Sequence, residues 1–383
     1  ASQYTEQPYK HRWWFCETYR DPEASCRTDG SLNFRQATDI LTDPARLESL
    51  AHFFLYRRPA ATTTGSVDAV AFFPLEYGVV QSSPPREPTV LADGRILLGS
   101  QTANPASRAG GEFSQPGDVY VDSTDNVWVA DSLNNRIQKF DPQGHFLGQF
   151  GTGGTGEGQF TEPWSVAVDR DGFIYVADTW NHRIQKFDPT FKFVTMWGQP
   201  GANNPGPLDF FGPRDIVIAA DGALWITDTG NQRLLHFTKD GQPLDAYGSG
   251  GAGPGQFSEP VGLAADSAGD LVVADAWNGR VQVLPASGAP PFGFATQWTS
   301  HEVTAKPYVT VLSDGRLIVS VPETGSLVLY SATGSRIGAW KPLVDSMPIG
   351  LAPTSDGGFV FSDGRRNEVQ VVPGRLIAGL FQP

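Results

Sequence analysis

The sequence predicts an all-β fold, a six-bladed β-propeller with a small α/β segment in front of it. Three observations carry this. A unit of short apolar runs recurs along the chain; turn residues separate the runs; and no helical period lies between units. The clearest unit is Phe160 to Asp188, FTEPWSVAVDRDGFIYVADTWNHRIQKFD. Apolar runs at Trp164–Val168, Phe173–Val176 and Ile184–Phe187 are divided by the tight turn Asp169-Arg170-Asp171-Gly172 and by the polar loop Asp178-Thr179-Trp180-Asn181-His182. A fourth run, Phe191–Met196, completes a four-stranded antiparallel sheet. Further copies run from Phe113 to Asp141, Phe211 to Phe237 and Phe257 to Leu284, with weaker ones from Lys306 and Met347. The aspartates closing the second strand, Asp131, Asp178, Asp228 and Asp275, are spaced by 47, 50 and 47 residues. A fixed period in this range marks a repeat architecture. One meander cannot bury both its faces, so neighbours must stack, and six four-stranded units make a propeller.

Residues 1–87 do not repeat and form the predicted N-terminal segment; 88–383 form the propeller. The aromatic run His11-Arg12-Trp13-Trp14-Phe15 calls for burial. Asp43-Pro44 is a helix start, with Asp as N-cap and Pro at the first helical position. Leu47, Leu50, Ala51, Phe54 and Leu55 then share one face, and Arg57-Arg58-Pro59 ends the helix. Val67–Phe73 reads as a strand and Ser82-Ser83-Pro84-Pro85 as a linker. Thr89–Gln101 is a hairpin around Asp93-Gly94. It is expected to close the ring by adding an outer strand to the last blade, near Leu376–Phe381.

The pattern of Pro, apolar strand, Asp-Gly, a strand ending Val-Ala-Asp, then Asn-x-Arg-Ile-Gln-x-Phe resembles the NHL repeat. The resemblance is close from Phe113 to Leu284 and looser beyond. It implies the propeller fold, but not one function, because NHL members include RNA-binding, protein-binding, scaffold and enzyme proteins. A second resemblance rests on HFFLYRRPAATTTGSVDAVAFFP (residues 52–74). It is similar to a segment of prokaryotic membrane glycosyltransferase-like proteins of the flippase-associated or mannosyltransferase type, some of which carry C-terminal NHL repeats. That would make this chain the extracytoplasmic tail of a larger protein.

The chain has 383 residues with 43 glycines and 30 prolines, as a turn-rich β protein requires, and a formal net charge of −13. From Gly110 to Ser300 there are 22 acidic against 10 basic residues. Such a surface opposes nucleic acid and anionic lipid, whose phosphates need cations. No run of 18 apolar residues exists to span a membrane, and no signal peptide is visible. The only cysteines, Cys16 and Cys26, stand ten residues apart. A disulfide between them would imply an oxidising compartment; the alternative is two free thiols in a reducing one. No cofactor and no zinc site is expected from this set.

The Asp and Arg present in every good repeat (Asp131 with Arg136, Asp178 with Arg183, Asp228 with Arg233, Asp275 with Arg280) are expected to be structural. His145, His182, His236 and His301 fall in different registers, unlike the metal-binding histidines of the peptide-amidating lyase propeller, and do not converge on one metal. Residues that differ between blades carry more information. The two positions after each repeat's proline should ring the channel mouth: Gly117-Asp118, Trp164-Ser165, Arg214-Asp215, Val261-Gly262, Tyr308-Val309 and Ile349-Gly350. The candidate ligand site is therefore Trp164, Arg214, Asp215, Tyr308 and Asp118, with Trp180, His182 and Trp277 from the second-to-third-strand loops at its margin. Aromatic faces beside planar polar groups suit a sugar ring or a peptide; the alternative is that the ring plugs the channel.

The resulting expectation is a non-catalytic extracytoplasmic binding or scaffold module that takes a glycan or a protein at the channel mouth. Its rivals are a lyase or hydrolase at the same mouth, and a structural module of a larger assembly. A carboxylate at the rim with a strongly raised pKa would favour the enzyme.

Overall fold

The computed structural model describes residues 86–98, 109–201, 206–296, 298 and 306–382. The expected helix, strand and linker before residue 86, the Cys16–Cys26 pair and His301 lie outside the described residues. Among the described residues no helix is long and apolar enough to cross a membrane.

Six antiparallel sheets follow one another along the chain. In the second blade the strands are Pro163–Val168, Ile174–Asp178, Arg183–Phe187 and Phe193–Trp197. Blades 1, 3, 4 and 5 repeat this order over 116–150, 213–247, 260–295 and 309–340. The first strands of successive blades lie side by side, and that of blade 6 (Pro348–Pro353) returns to that of blade 1, which closes the ring. Strand side chains alternate between the two sheet faces. Here both faces are covered, so the second strands are buried along their length rather than at alternate residues. Val127–Asp131, Ile174–Asp178 and Phe359–Asp363 are buried at all five positions. The core consequently lies between blades. Trp128, Ala130 and Ile137 of blade 1 pack on Val166, Val168 and Ile174 of blade 2, and Ala167, Tyr175 and Ala177 of blade 2 pack on Ile216, Leu224 and Ile226 of blade 3.

The hairpin Thr89–Val90/Ile96–Leu98 does join the last blade, giving a five-stranded sheet. Its partner, however, is Glu368–Val372, with Leu97 opposite Gln370. The expected partner, 376–381, instead holds a helical turn (Ile377–Leu380), and Gln382 beyond it bridges to Ala339 of blade 5. An apolar cluster of Leu376, Ile377, Leu380 and Phe381 packs under Trp340 rather than extending the sheet.

The repeated Asp and Arg are structural in detail. Asp131, Asp178, Asp228 and Asp275 are each 0% exposed. Each accepts a backbone N–H from the chain entering its blade, at Ser114, Thr161, Phe211 and Ser258 (2.7–2.8 Å). Each also accepts the Nε–H of Arg136, Arg183, Arg233 or Arg280 at 2.6–2.8 Å. Asn134, Asn181, Asn231 and Asn278 donate to the same carboxylates. The motif thus ties the second strand, the third strand and the crossing loop together without leaving the ions unpaired.

Candidate functional site

The face that carries the site is set by pairing. In blades 1–4 and 6 the proline opening the first strand faces the aspartate closing the second, as Pro163 faces Asp178. The turns after those aspartates therefore share one face with the residues that precede the prolines. Each turn is a single 3-10 turn ended by a left-handed residue: Asn135, His182, Gln232, Gly279 and Gly325 in blades 1 to 5.

Five of the eight expected site residues converge, and all five are buried: Asp118, Trp164, Arg214, Asp215 and Tyr308 are 1–5% exposed. They form a closed floor and not an open rim. Trp164 and Tyr308 pack with Val261 and Ile349, which come from the same position in blades 4 and 6. The Arg214 guanidinium lies over the Trp164 ring, 4.0 Å from its centroid, and interacts electrostatically with Tyr308 and Glu162. Burial lowers the pKa of Arg214 and raises that of Tyr308. The missing side chains of Gly262 and Gly350 permit this convergence. A Cβ on Gly262 would stand 2.4 Å from the Tyr308 Cα, and one on Gly350 would stand 2.3 Å from the Asp118 Cα.

Beside this stack lies a polar network that the sequence reading passes over at its centre, Ser165. Its hydroxyl contacts Asp118 Oδ2 at 2.9 Å and Asp215 Oδ1 at 3.0 Å, joining blades 1, 2 and 3. Asp215 also accepts the N–H groups of Ile216 and of Leu263 in blade 4, at 2.8 and 2.7 Å. Burial, and then the charge of Asp215, raises the Asp118 pKa well above the usual carboxylate range. Burial pushes Asp215 up to about 6. Two buried carboxyls bridged by one hydroxyl disfavour both being charged at once. Among the described residues Asp118 Oδ1 has no hydrogen-bond partner.

The consequence for stability follows from linkage. A carboxyl with a raised folded-state pKa contributes stability that is complete below its unfolded value, about 4, and is lost as pH rises through the folded value. Asp118→Asn, neutral at every pH, is expected to flatten the fall in melting temperature between about pH 4 and 8. Thermal unfolding across that range checks it; an unchanged slope would show that the pair is not protonated in the fold.

The three marginal residues are placed differently. Trp180 and Trp277 occupy equivalent positions in the 3-10 turns Thr179–Asn181 and Ala276–Asn278, their backbone N–H groups bonded to Thr161 and Ser258 carbonyls. Trp180 is half-buried and donates its indole N–H to Glu162 Oε2 at 2.9 Å. Trp277 is 41% exposed, with the Lys306 ammonium 5.2 Å from its ring centroid, and Lys306 is paired with Glu259. His182 is buried. Its Nδ1 accepts the Gly212 N–H at 3.0 Å and its ring stacks on Phe211 at 5.5 Å. Glu162, Glu259 and Lys306 were missed; the signal for them was the position just before each repeat's proline.

Among the described residues no three His, Cys, Asp or Glu side chains cluster as a metal site would need. Two clefts, of about 390 and 370 Å³, lie on the edge of blade 6 beside Arg95 and Leu343 and along the outer strand of blade 4 beside Phe292. Neither is lined by any of the eight residues.

The fold and this site define a six-bladed β-propeller with a packed axis and an aromatic face. Three of its repeats match the NHL repeat, over residues 113–140, 160–187 and 257–284. Those are blades 1, 2 and 4; blade 3 has the same strands and the same Asp–Arg pair. No curated protein matches the chain in sequence. Among solved structures it is similar to virginiamycin B lyase from Staphylococcus aureus, at 15% identity over 76% of this chain and 94% of that one, with a TM-score of 0.50. It is also similar to a gluconolactonase from Xanthomonas campestris, at 13% identity over 75% and 95%, with a TM-score of 0.55. At these identities the likeness is one of fold.

Proposed function

We propose that the chain is a non-catalytic recognition module that works outside the cytoplasm and docks a glycan or a protein on the mouth face. In this reading it serves as the soluble part of a membrane glycosyltransferase-like protein. One observation carries the docking surface: Trp180 and Trp277 stand on the same backbone frame in blades 2 and 4, while the matching residue of blade 3 between them is Gly230. A side chain at Gly230 would run into the Phe211 ring, 1.8 Å from its Cβ. Between the two indoles the Phe211 ring thus takes the place that a side chain at this position would fill. Amphipathic aromatics presented this way suit sugars and peptides.

Binding of the wild type on glycan and peptide arrays, compared with Trp180→Ala and Trp277→Ala, tests this. Each variant is expected to lose binding, and Trp277→Ala to keep its melting temperature within a few degrees, since its ring is partly exposed at the surface rather than part of the core. Equal array patterns for all three proteins would end the proposal.

A second reading, an acid–base enzyme, is favoured by the Asp118–Asp215 pair, because a carboxyl held protonated at neutral pH is suited to general-acid work. It requires a substrate to reach side chains that are 4–5% exposed. Ligand turnover abolished by Asp118→Asn would support it.

A further inference from the structure

Near the axis the ladder between first and second strands slips in blades 1, 3 and 4, between Pro116 and Val119, Pro213 and Ile216, and Pro260 and Leu263. Such a slip leaves backbone groups outside the ladder. Two of them, the N–H groups of Ile216 and Leu263, turn to Asp215, which accepts one on each carboxyl oxygen, at 2.8 and 2.7 Å. Backbone N–H bonds favour the charged form of a carboxyl, so Asp215 is the better placed of the two to hold the charge. Asp118 has less support. Its Oδ2 meets the Ser165 hydroxyl at 2.9 Å, and its Oδ1 has no hydrogen-bond partner among the described residues. Ser165 Oγ also stands 3.0 Å from Asp215 Oδ1 and accepts the Ile216 N–H at 3.3 Å. A serine hydroxyl has one proton to donate. It serves one carboxyl, and the second contact needs a proton that the other carboxyl brings.

We propose that Asp118, Ser165 and Asp215 form a proton-held latch on the propeller axis, closed while Asp118 keeps its proton and loosened as rising pH removes it. In the closed latch Asp118 donates its carboxyl O–H to Ser165 Oγ, Ser165 donates its O–H to Asp215 Oδ1, and Asp215 stays charged. Loss of the Asp118 proton leaves one hydroxyl proton between two carboxylates and sets like charges against each other across blades 1 and 3. The charged and titratable groups facing the pair are Tyr308 of blade 5 and the Arg214 guanidinium of blade 3, which in turn faces Glu162 at the entry to blade 2. Blades 4 and 6 bring only Gly262 and Gly350 to this level. Asp118 has no room to withdraw from a second charge, because the blade 6 backbone lies so near that a Cβ on Gly350 would stand 2.3 Å from the Asp118 Cα. The strain therefore falls on the first strands. Trp164 precedes Ser165 and Arg214 precedes Asp215 in the chain, so the floor of the mouth rides on the strands that the latch ties.

The test follows the side-chain carboxyl carbons of the full chain by NMR, with isotope-labelled aspartate and with Asp118 assigned by the resonance lost in Asp118→Asn. At neutral pH the Asp118 carbon is expected at the neutral-carboxyl position, moving to the carboxylate position as pH rises. Amide exchange gives the second readout. Protection of the Ile216 and Leu263 N–H groups, corrected for the intrinsic rate, should fall at least about tenfold from about pH 7 to about pH 9 in the wild type. Asp118→Asn donates an N–H to Ser165 at every pH, so its protection should stay level. Asp215→Asn places an amide N–H where a backbone N–H needs an acceptor. It should lower the melting temperature at neutral pH, where Asp118→Asn leaves it within a few degrees. An Asp118 carbon at the carboxylate position at neutral pH overturns the proposal. So does an equal fall in protection in the wild type and Asp118→Asn, or an equal melting temperature for the two asparagine variants.

Discussion

Asp178→Ala is expected to destabilise the protein by about 3–5 kcal/mol, because removing one member of a buried ion pair strands the other. Asp178 is wholly buried and receives Thr161 N–H at 2.8 Å, Asn181 Nδ2 at 2.9 Å, Arg183 Nε at 2.7 Å and Gln185 Nε2 at 3.0 Å. Its loss removes the acceptor shared by all four donors, in a site where Arg183 also holds the carbonyls of Thr155, Gly156 and Gln159. The melting temperature should fall on the order of 10 °C. The exposed turn residue Asp171 serves as control, since Asp171→Ala should stay within about 0.5 kcal/mol. Urea unfolding of both variants decides the matter: a loss below about 1 kcal/mol for Asp178→Ala would mean that the repeat's aspartate is not a structural clamp.

The second large effect is expected at the axis. Trp164 is 2% exposed and carries the Arg214 guanidinium on its face at 4.0 Å. Trp164→Ala should cost about 3–5 kcal/mol, through the cavity and through the lost support for a buried cation. Trp164→Phe should cost far less, because the indole N–H has no hydrogen-bond partner to lose. A ring residue open to ligand would behave in the opposite way, losing binding while keeping its melting temperature. If Trp164→Ala melts with the wild type, the axis is not packed as described.

How much of this was legible in the sequence depends on the range of the interaction. Asp-Gly turns, the aspartate at the end of the second strand and the arginine five residues later act within one repeat. Their 47- to 50-residue recurrence therefore disclosed the blades before any coordinates did. The hairpin at Asp93-Gly94 was legible for the same reason. Its partner was not, because pairing of Ile96–Leu98 with Glu368–Val372 joins the two ends of the ring, and an apolar run such as Leu376–Phe381 reads equally as a strand or as a helical turn packed on Trp340.

The site divides along the same line. Register alone placed Asp118, Trp164, Arg214, Asp215 and Tyr308 beside the axis, and Trp180, His182 and Trp277 on the loops around it. Whether the first five face water was decided only when six first strands converged with glycines at 262 and 350, bringing the ring close enough for Arg214 to lie on Trp164 and for Ser165 to bridge two carboxyls. That closeness excludes water, and exclusion of water, a property no single repeat possesses, is what raises the Asp118 pKa and turns an expected rim into a floor.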